Sequence, residues 1–175
     1  IIAERPEIGI NLGLAFGTGI VQYHQHLNKQ LAEAPLLQDL SDRERAVIAQ
    51  QLSPQRYFAN DAIYRSADLP TGIFFIEKGT VRLLGDTDDD YTELSVGEAF
   101  GEMAVISGKP HSNTAQAADE ALLWQLSPAD FATLTETNPS IKTKLGRNLR
   151  ASLNLSDQEY ETINPLPVEE QPPRE

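Results

Sequence analysis

The sequence predicts an α+β chain in which an antiparallel sandwich or barrel is framed by helices. Three observations carry this. Apolar residues recur on a helical period near both ends and on a period of two between about residues 53 and 126. Within that middle stretch, short strand-like runs alternate at regular spacing with Gly, Pro, Asn and Asp turn signals. The 175 residues are 40% hydrophobic and 23% charged, the balance of a globular unit with or without attached pieces.

The first element is a helix from Pro6 to Leu31. Ile8, Leu12, Phe16 and Ile20 recur every four residues, and Leu27 and Leu31 resume the spacing. Pro6 suits a first turn. Gly9, Gly13 and Gly17 also lie four apart, although each glycine costs up to about 1 kcal/mol in a helix relative to Ala. Such a strip lets another backbone approach closely, as in membrane helix pairs. The apolar run from Ile8 to Val21 contains Asn11 and falls short of the roughly 20 residues a span needs. Close packing on a neighbouring helix or subunit is the expected use, with the clipped end of a membrane helix as the alternative.

Ala34-Pro35 ends this helix, and Leu36, Leu37 and Leu40 form an apolar knot. Ser41 or Asp42 caps a short helix to about Leu52, with Glu44 placed to complete a capping box from Ser41. Strands are expected at Tyr57-Phe58, Ala62–Tyr64, Gly72–Ile76, Thr80–Leu84, Tyr91–Val96, Thr114–Ala117 and Ala121–Leu126. In the last of these Trp124 is expected to be half-buried, with a ligand platform as the alternative. Ser127-Pro128-Ala129-Asp130 opens a helix with Phe131 and Leu134 inward. Asn138-Pro139 opens another with Ile141, Leu145 and Leu149 on its stripe. The stretch 156–175 is acidic and Pro-rich and is expected to carry little order. An offset of 133 residues aligns Pro6, Ile8, Leu12 and Gly13 with Pro139, Ile141, Leu145 and Gly146, as if the first helix closed an earlier copy of the same unit.

Charge and composition exclude several functions. Acidic residues outnumber basic ones 26 to 14, a net charge of −12. No Lys/Arg cluster is present to neutralise phosphates, so neither nucleic acid nor an anionic membrane surface is an expected partner. The absence of Cys excludes disulfides and thiolate metal sites, and with no signal peptide a cytoplasmic setting is expected. The start lacks Met, which suggests a longer parent chain. No nucleophile elbow or Walker loop occurs, so no catalytic residue is assigned and the chain is expected not to be an enzyme. Asp86, Asp88 and Asp90 imitate the opening of a calcium loop, but Tyr91 and Gly97 stand where Gly and Glu are needed, so a solvated hairpin tip is expected. His24 and His26 are two apart on a helix and cannot share a metal, so no metal site is expected.

The most informative stretch is Val96-Gly97-Glu98-Ala99-Phe100-Gly101-Glu102-Met103-Ala104-Val105-Ile106. A glycine leads into a bend whose backbone N–H groups attract phosphate or carboxylate. Glu102 can accept from ligand hydroxyls, although an acid at a helix start is favourable by about 0.3–1 kcal/mol without any ligand. Gly108-Lys109-Pro110-His111-Ser112-Asn113-Thr114-Ala115 follows.

Here the sequence resembles the cyclic nucleotide-binding domain family, from about Pro35 to Leu153. The resemblance includes Pro35-Leu36-Leu37-Gln38-Asp39-Leu40-Ser41-Asp42, Phe75-Ile76-Glu77-Lys78-Gly79-Thr80-Val81-Arg82-Leu83, the Gly97–Ile106 cassette, Pro110, Asp130-Phe131 and Asn138-Pro139-Ser140-Ile141. It implies a β-roll, a jelly-roll-like barrel, as domain 35–155, with 1–34 as the closing helix of a preceding domain or an oligomer contact. It implies a non-catalytic regulatory module sensing cAMP or cGMP, in which occupancy repositions the flanking helices. The candidate ligand residues are Phe100, Gly101, Glu102, Met103, Ala104, His111, Ser112, Asn113 and Thr114. In the family the backbone near Gly101 and Ala104 holds the cyclic phosphate, Glu102 matches the residue on the ribose 2′-hydroxyl, and an arginine after the proline pairs with the phosphate.

Here His111 stands at the arginine position. Arginine grips phosphate with a permanent charge and a fork of donors; a neutral imidazole does not. Losing such a contact costs about 2–5 kcal/mol, roughly 30- to 4,000-fold in affinity. Lys109 lies nearby on a different vector. Asn60 replaces the family's glycine before the second roll strand and tolerates the same left-handed turn. Two readings follow: a pocket that binds a cyclic nucleotide or another small anion weakly, or a vestigial pocket in a domain kept for assembly. A homo-oligomer through the helical segments, or the cytosolic tail of a transporter or channel, are the corresponding contexts. The family's transcription factors continue into a basic helix-turn-helix, whereas this chain ends in an acidic tail.

Overall fold

The computed structural model describes residues 27–85 and 90–152. The glycine strip, the pairing at an offset of 133, His24, His26, the centre of the acidic hairpin tip and the acidic tail lie outside the described residues. The helix α1 is described over 27–33, where Leu27 and Leu31 are both buried, as their spacing requires. A 3-10 turn, Pro35–Leu37, buries Leu36 and Leu37. Helix α2, Asp42–Ala49, starts at Ser41 with both halves of the capping box formed. It stops short of Leu52 because the N–H groups of Gln51 and Leu52 turn back to Ile48 and Ala49, and Pro54 then fixes an extended chain.

Among the described residues eight strands follow: β1 Ser53–Tyr57, β2 Ala62–Tyr64, β3 Ile73–Lys78, β4 Val81–Leu84, β5 Tyr91–Leu94, β6 Ala99–Phe100, β7 Thr114–Ala117 and β8 Ala121–Leu126. They form two antiparallel sheets of four, in the orders β1-β8-β3-β6 and β2-β7-β4-β5. The result is an α+β fold, an antiparallel β-roll with helices before and after it. Helix α3, Glu102–Ser107, interrupts the strands, and α4, Pro128–Thr137, and α5, Pro139–Ser152, close the chain.

Alternation along β3 and β8 builds two cores. Phe74 and Ile76 on β3, with Ala121 and Leu123 on β8, point between the sheets against Tyr64, Val81, Phe100, Ala115 and Ala117. Ile73, Phe75, Trp124 and Leu126 point to the other face, where α1, the 3-10 turn, α4 and α5 bury Leu27, Leu37, Leu134, Ile141, Leu145 and Leu149. Trp124 is therefore fully buried, not half-buried, because the helical layer covers its face of the sheet.

Strand β1 begins at Ser53 and ends at Tyr57, earlier than expected. Its Pro54 is tolerated because β1 is an edge strand with β8 as its one partner, and Phe58 beyond it is exposed. Strand β5 ends at Leu94, where Glu98 accepts from the Ser95 N–H (2.7 Å) and hydroxyl and folds the chain back at Gly97. Asn60 does take a positive φ, 71°.

Candidate functional site

The cassette after β6 is fixed by a glycine. Gly101 has φ +82°, and a Cβ there would lie 2.5 Å from the Gly72 carbonyl oxygen at the entry to β3. Only glycine allows both the left-handed turn and this approach. The turn swings the chain from β6 into the six residues of α3, which end at Gly108 with φ +65°. The Ser107 hydroxyl donates to the Met103 carbonyl at 2.6 Å, and the Lys109 N–H reaches the same hydroxyl at 3.3 Å. The chain then returns through Pro110 to β7.

These two segments wall a cavity of about 730 Å3. Leu83 on β4 and Thr92 and Leu94 on β5 line it from the second sheet, and Pro35 and Leu36 line it from the 3-10 turn. Eight of the nine candidate residues border this space: Phe100, Gly101, Glu102, Met103, Ala104, His111, Ser112 and Asn113. Thr114 does not. It pairs with Leu84 in the sheet, and its hydroxyl accepts from the Ser66 N–H at 3.0 Å. Phe100 and Ala104 are buried, and Phe100 stacks on Phe74 at 5.2 Å, so its ring serves the roll.

Glu102 carries the main electrostatic feature. Its Oε2 is shielded from water and has no hydrogen-bond partner among the described residues. Burial raises its pKa, partly offset by its own backbone N–H. Tyr64 is also pushed upward, first by burial and then by the charge of Glu102.

His111 is 4% exposed. Its ring lies flat on Tyr64, centroids 3.6 Å apart and planes 9° from parallel. Its Nε2 accepts from the Thr71 N–H at 3.3 Å and sits equally far from the Thr71 hydroxyl. Its backbone is tied to the 65–68 turn: His111 N–H donates to the Asp68 carbonyl, and Ala67 N–H donates to the His111 carbonyl, both at 2.9 Å. Burial lowers its pKa, against a smaller opposite pull from Asp68. A neutral imidazole accepting at Nε2 is the state this geometry favours. Of the remaining charged residues bordering the cavity, Lys109 is exposed and Glu98 is bound to Ser95.

Sequence reasoning did not find Tyr64, Leu83, Thr92, Leu94, Pro35 or Leu36 as cavity residues. The period of two places Leu83 on a face, but only the pairing of β4 with β5 and β7 directs that face to the cassette. Among the described residues no group of three metal-capable side chains occurs, and no helix is long and apolar enough to cross a membrane.

The cavity is joined to the helices through its own wall. The carbonyl of Leu36, a wall residue, accepts from the Asn148 side-chain amide of α5 at 3.0 Å, and Asn148 is 2% exposed. Glu44 of α2 accepts from the Ser140 hydroxyl at 2.8 Å and from Lys144 Nζ at 2.7 Å, both on α5.

Residues 54–138 match the family described as the cyclic nucleotide-binding domain. Among curated proteins, a cyclic nucleotide-gated potassium channel of Rhizobium etli is 38% identical over 111 residues, covering 63% of this chain and 31% of the channel. A cAMP-dependent protein kinase regulatory subunit of Debaryomyces hansenii is 31% identical over 104 residues, 59% of this chain and 23% of that protein. The chain thus spans about a quarter to a third of these relatives. Among solved structures, the catabolite activator protein of Thermus thermophilus superposes with a TM-score of 0.62 at 24% identity, over 74% of this chain and 62% of that one, a likeness of fold.

Proposed function

With residues 54–138 belonging to the cyclic nucleotide-binding domain family, we propose that this chain is a non-catalytic regulatory domain whose cavity has lost the cationic grip on a cyclic phosphate. It binds cAMP and cGMP weakly or not at all. The observation that supports this is His111. At the family's arginine position stands an imidazole stacked on Tyr64 and engaged by Thr71, with burial favouring its neutral form. The exposed ammonium of Lys109 offers a point charge rather than a planar fork.

Regulation runs through the 3-10 turn. Leu36 borders the cavity with its side chain in the helical core, and its carbonyl is held by Asn148. A ligand that favours one position of this turn biases the packing of α5, and α5 carries the change to the partner that the domain regulates. The protein works in the cytoplasm, alone or on the cytosolic side of a membrane protein.

Calorimetric titration with cAMP and cGMP tests the reading. Wild type is expected to show no binding tighter than about 100 μM, and His111→Arg is expected to tighten it by at least about tenfold, or 1.4 kcal/mol. Micromolar binding by wild type refutes the lost grip.

A further inference from the structure

We propose that His111 is a proton-sensitive latch: its neutral ring keeps the strap 65–71 closed on the segment that walls the cavity, and its protonation releases the strap and loosens that wall. The strap leaves β2, leads into β3 and is tied to 111–114. The Ser66 N–H donates to the Thr114 hydroxyl at 3.0 Å, and the Ser66 hydroxyl donates to the Ser112 carbonyl at 3.4 Å. The Ala67 N–H donates to the His111 carbonyl, and the His111 N–H to the Asp68 carbonyl, both at 2.9 Å. These bonds hold Ala67 at a φ of 69°, a conformation uncommon for a residue with a side chain. Residues 65–69 are exposed, so little buried surface opposes a local opening. His111 and Ser112 border the cavity, which joins the strap to its wall.

The contact with Thr71 makes this closure depend on a proton. The ring Nε2 accepts from the Thr71 N–H at 3.3 Å. With a proton on Nε2, two donors face each other. The Thr71 hydroxyl can turn to accept, but the N–H cannot. Thr71 is itself held from β8, where Gln125 Nε2 donates to its carbonyl at 2.8 Å, so the ring is the part that yields. Tyr64 of β2, on which the ring lies flat, offers no counter-charge, because burial holds its hydroxyl further from ionising. On the strap, Arg65 is exposed and the Asp68 carboxylate is taken up by the Arg65 N–H at 2.7 Å. Lys109, in the ring's own segment, is exposed. Glu102 of α3 also borders the cavity, with an Oε2 that lacks a partner among the described residues. A charged ring is therefore better placed turned out of its slot, toward the cavity, than against Thr71. Burial lowers the ring's pKa from 6.5, against a smaller pull from Asp68. Closure is thus complete above about pH 6.5 and weakens as the pH falls below it. The latch works with or without a ligand in the cavity.

The test follows amide hydrogen exchange by NMR in the full 175-residue chain at about pH 7.5 and about pH 5, each rate divided by the intrinsic rate at that pH. The Thr71, Ala67 and His111 amides are expected to lose at least about tenfold in protection at the lower pH, while the amides of β3 and β8 keep theirs. The midpoint of that loss is expected to coincide with the titration of the His111 ring, read from its own proton resonances. His111→Gln, which offers a carbonyl acceptor that does not titrate, is expected to remove the pH dependence. Equal protection of the three amides at both pH values overturns the latch. So does a loss shared by β3 and β8, which is general acid unfolding, or a midpoint apart from the ring's own titration. A His111→Gln protein that still opens between the two pH values assigns the change to a carboxylate such as Asp68 or Glu102 and overturns it too. If that variant does not fold, the wild-type midpoints alone decide.

Discussion

Replacing Glu44 with Gln tests how the helical layer is held to the domain. The Glu44 carboxylate accepts from the Ser41 N–H, the Ser41 hydroxyl, the Ser140 hydroxyl and Lys144 Nζ, at 2.7–2.8 Å. The Lys144 bond, then the Ser41 backbone and Ser140 bonds, lower its pKa from 4.5 to about 2. A difference of that size between unfolded and folded states has a ceiling of about 3 kcal/mol at neutral pH. The side chains of Lys144 and Glu44 are 27% and 18% exposed, so solvent screening reduces this to about 1–2 kcal/mol. The folded pKa is depressed, so the contribution is complete above about pH 5 and falls away between pH 4.5 and 2. Glu44→Gln is therefore expected to lower Tm by roughly 2–8 °C at pH 7, with a gap that narrows by about two-fifths at pH 3.5. Differential scanning calorimetry of both proteins across this range measures it. An unchanged Tm at pH 7, or a gap that stays constant down to pH 3.5, refutes the reasoning.

Two further outcomes are expected. Gly101→Ala adds a Cβ 2.5 Å from the Gly72 oxygen at φ +82°, so it should cost more than the roughly 1–2 kcal/mol of left-handed strain alone, read as a lower urea midpoint; an unchanged midpoint contradicts it. Asn148→Leu leaves the Leu36 carbonyl without its donor and should cost about 1–3 kcal/mol at constant m-value, and a variant as stable as wild type would show that the bond holds nothing.

What the sequence showed was local or periodic. The Ser41–Glu44 box lies within one helical turn and formed as expected. The stripe Ile141, Leu145, Leu149 is buried, and β7 and β8 run over the anticipated residues. The first four residues of the edge strand β1, Ser-Pro-Gln-Arg, carry no apolar alternation, and their pairing with β8 is set by tertiary structure. Strand β6 has two residues, too few for any period. In the site, the glycine bend was legible because φ > 0 selects glycine. The slot of His111 was not, because Tyr64 and Thr71 reach it from distant positions in the chain. Thr114 likewise gave its hydroxyl to Ser66, on a loop that the strand pattern does not orient.

The two cores explain why a cavity at the mouth of the roll can bear on helices packed against its outer face. They share β3 and β8, whose alternate side chains belong to different layers. A rigid shared sheet transmits little, because close-packed side chains have few alternative arrangements. The 3-10 turn is different: Leu36 contributes to the helical core and to the cavity wall at once, and its carbonyl is held by Asn148. Shifting a two-position equilibrium tenfold needs about 1.4 kcal/mol of differential affinity. That is the order of one net hydrogen bond, about 0.5–1.5 kcal/mol. On the proposed reading, a ligand that prefers one position of this turn by that amount shifts α5 about tenfold, and the Leu36–Asn148 bond is the contact through which it would do so.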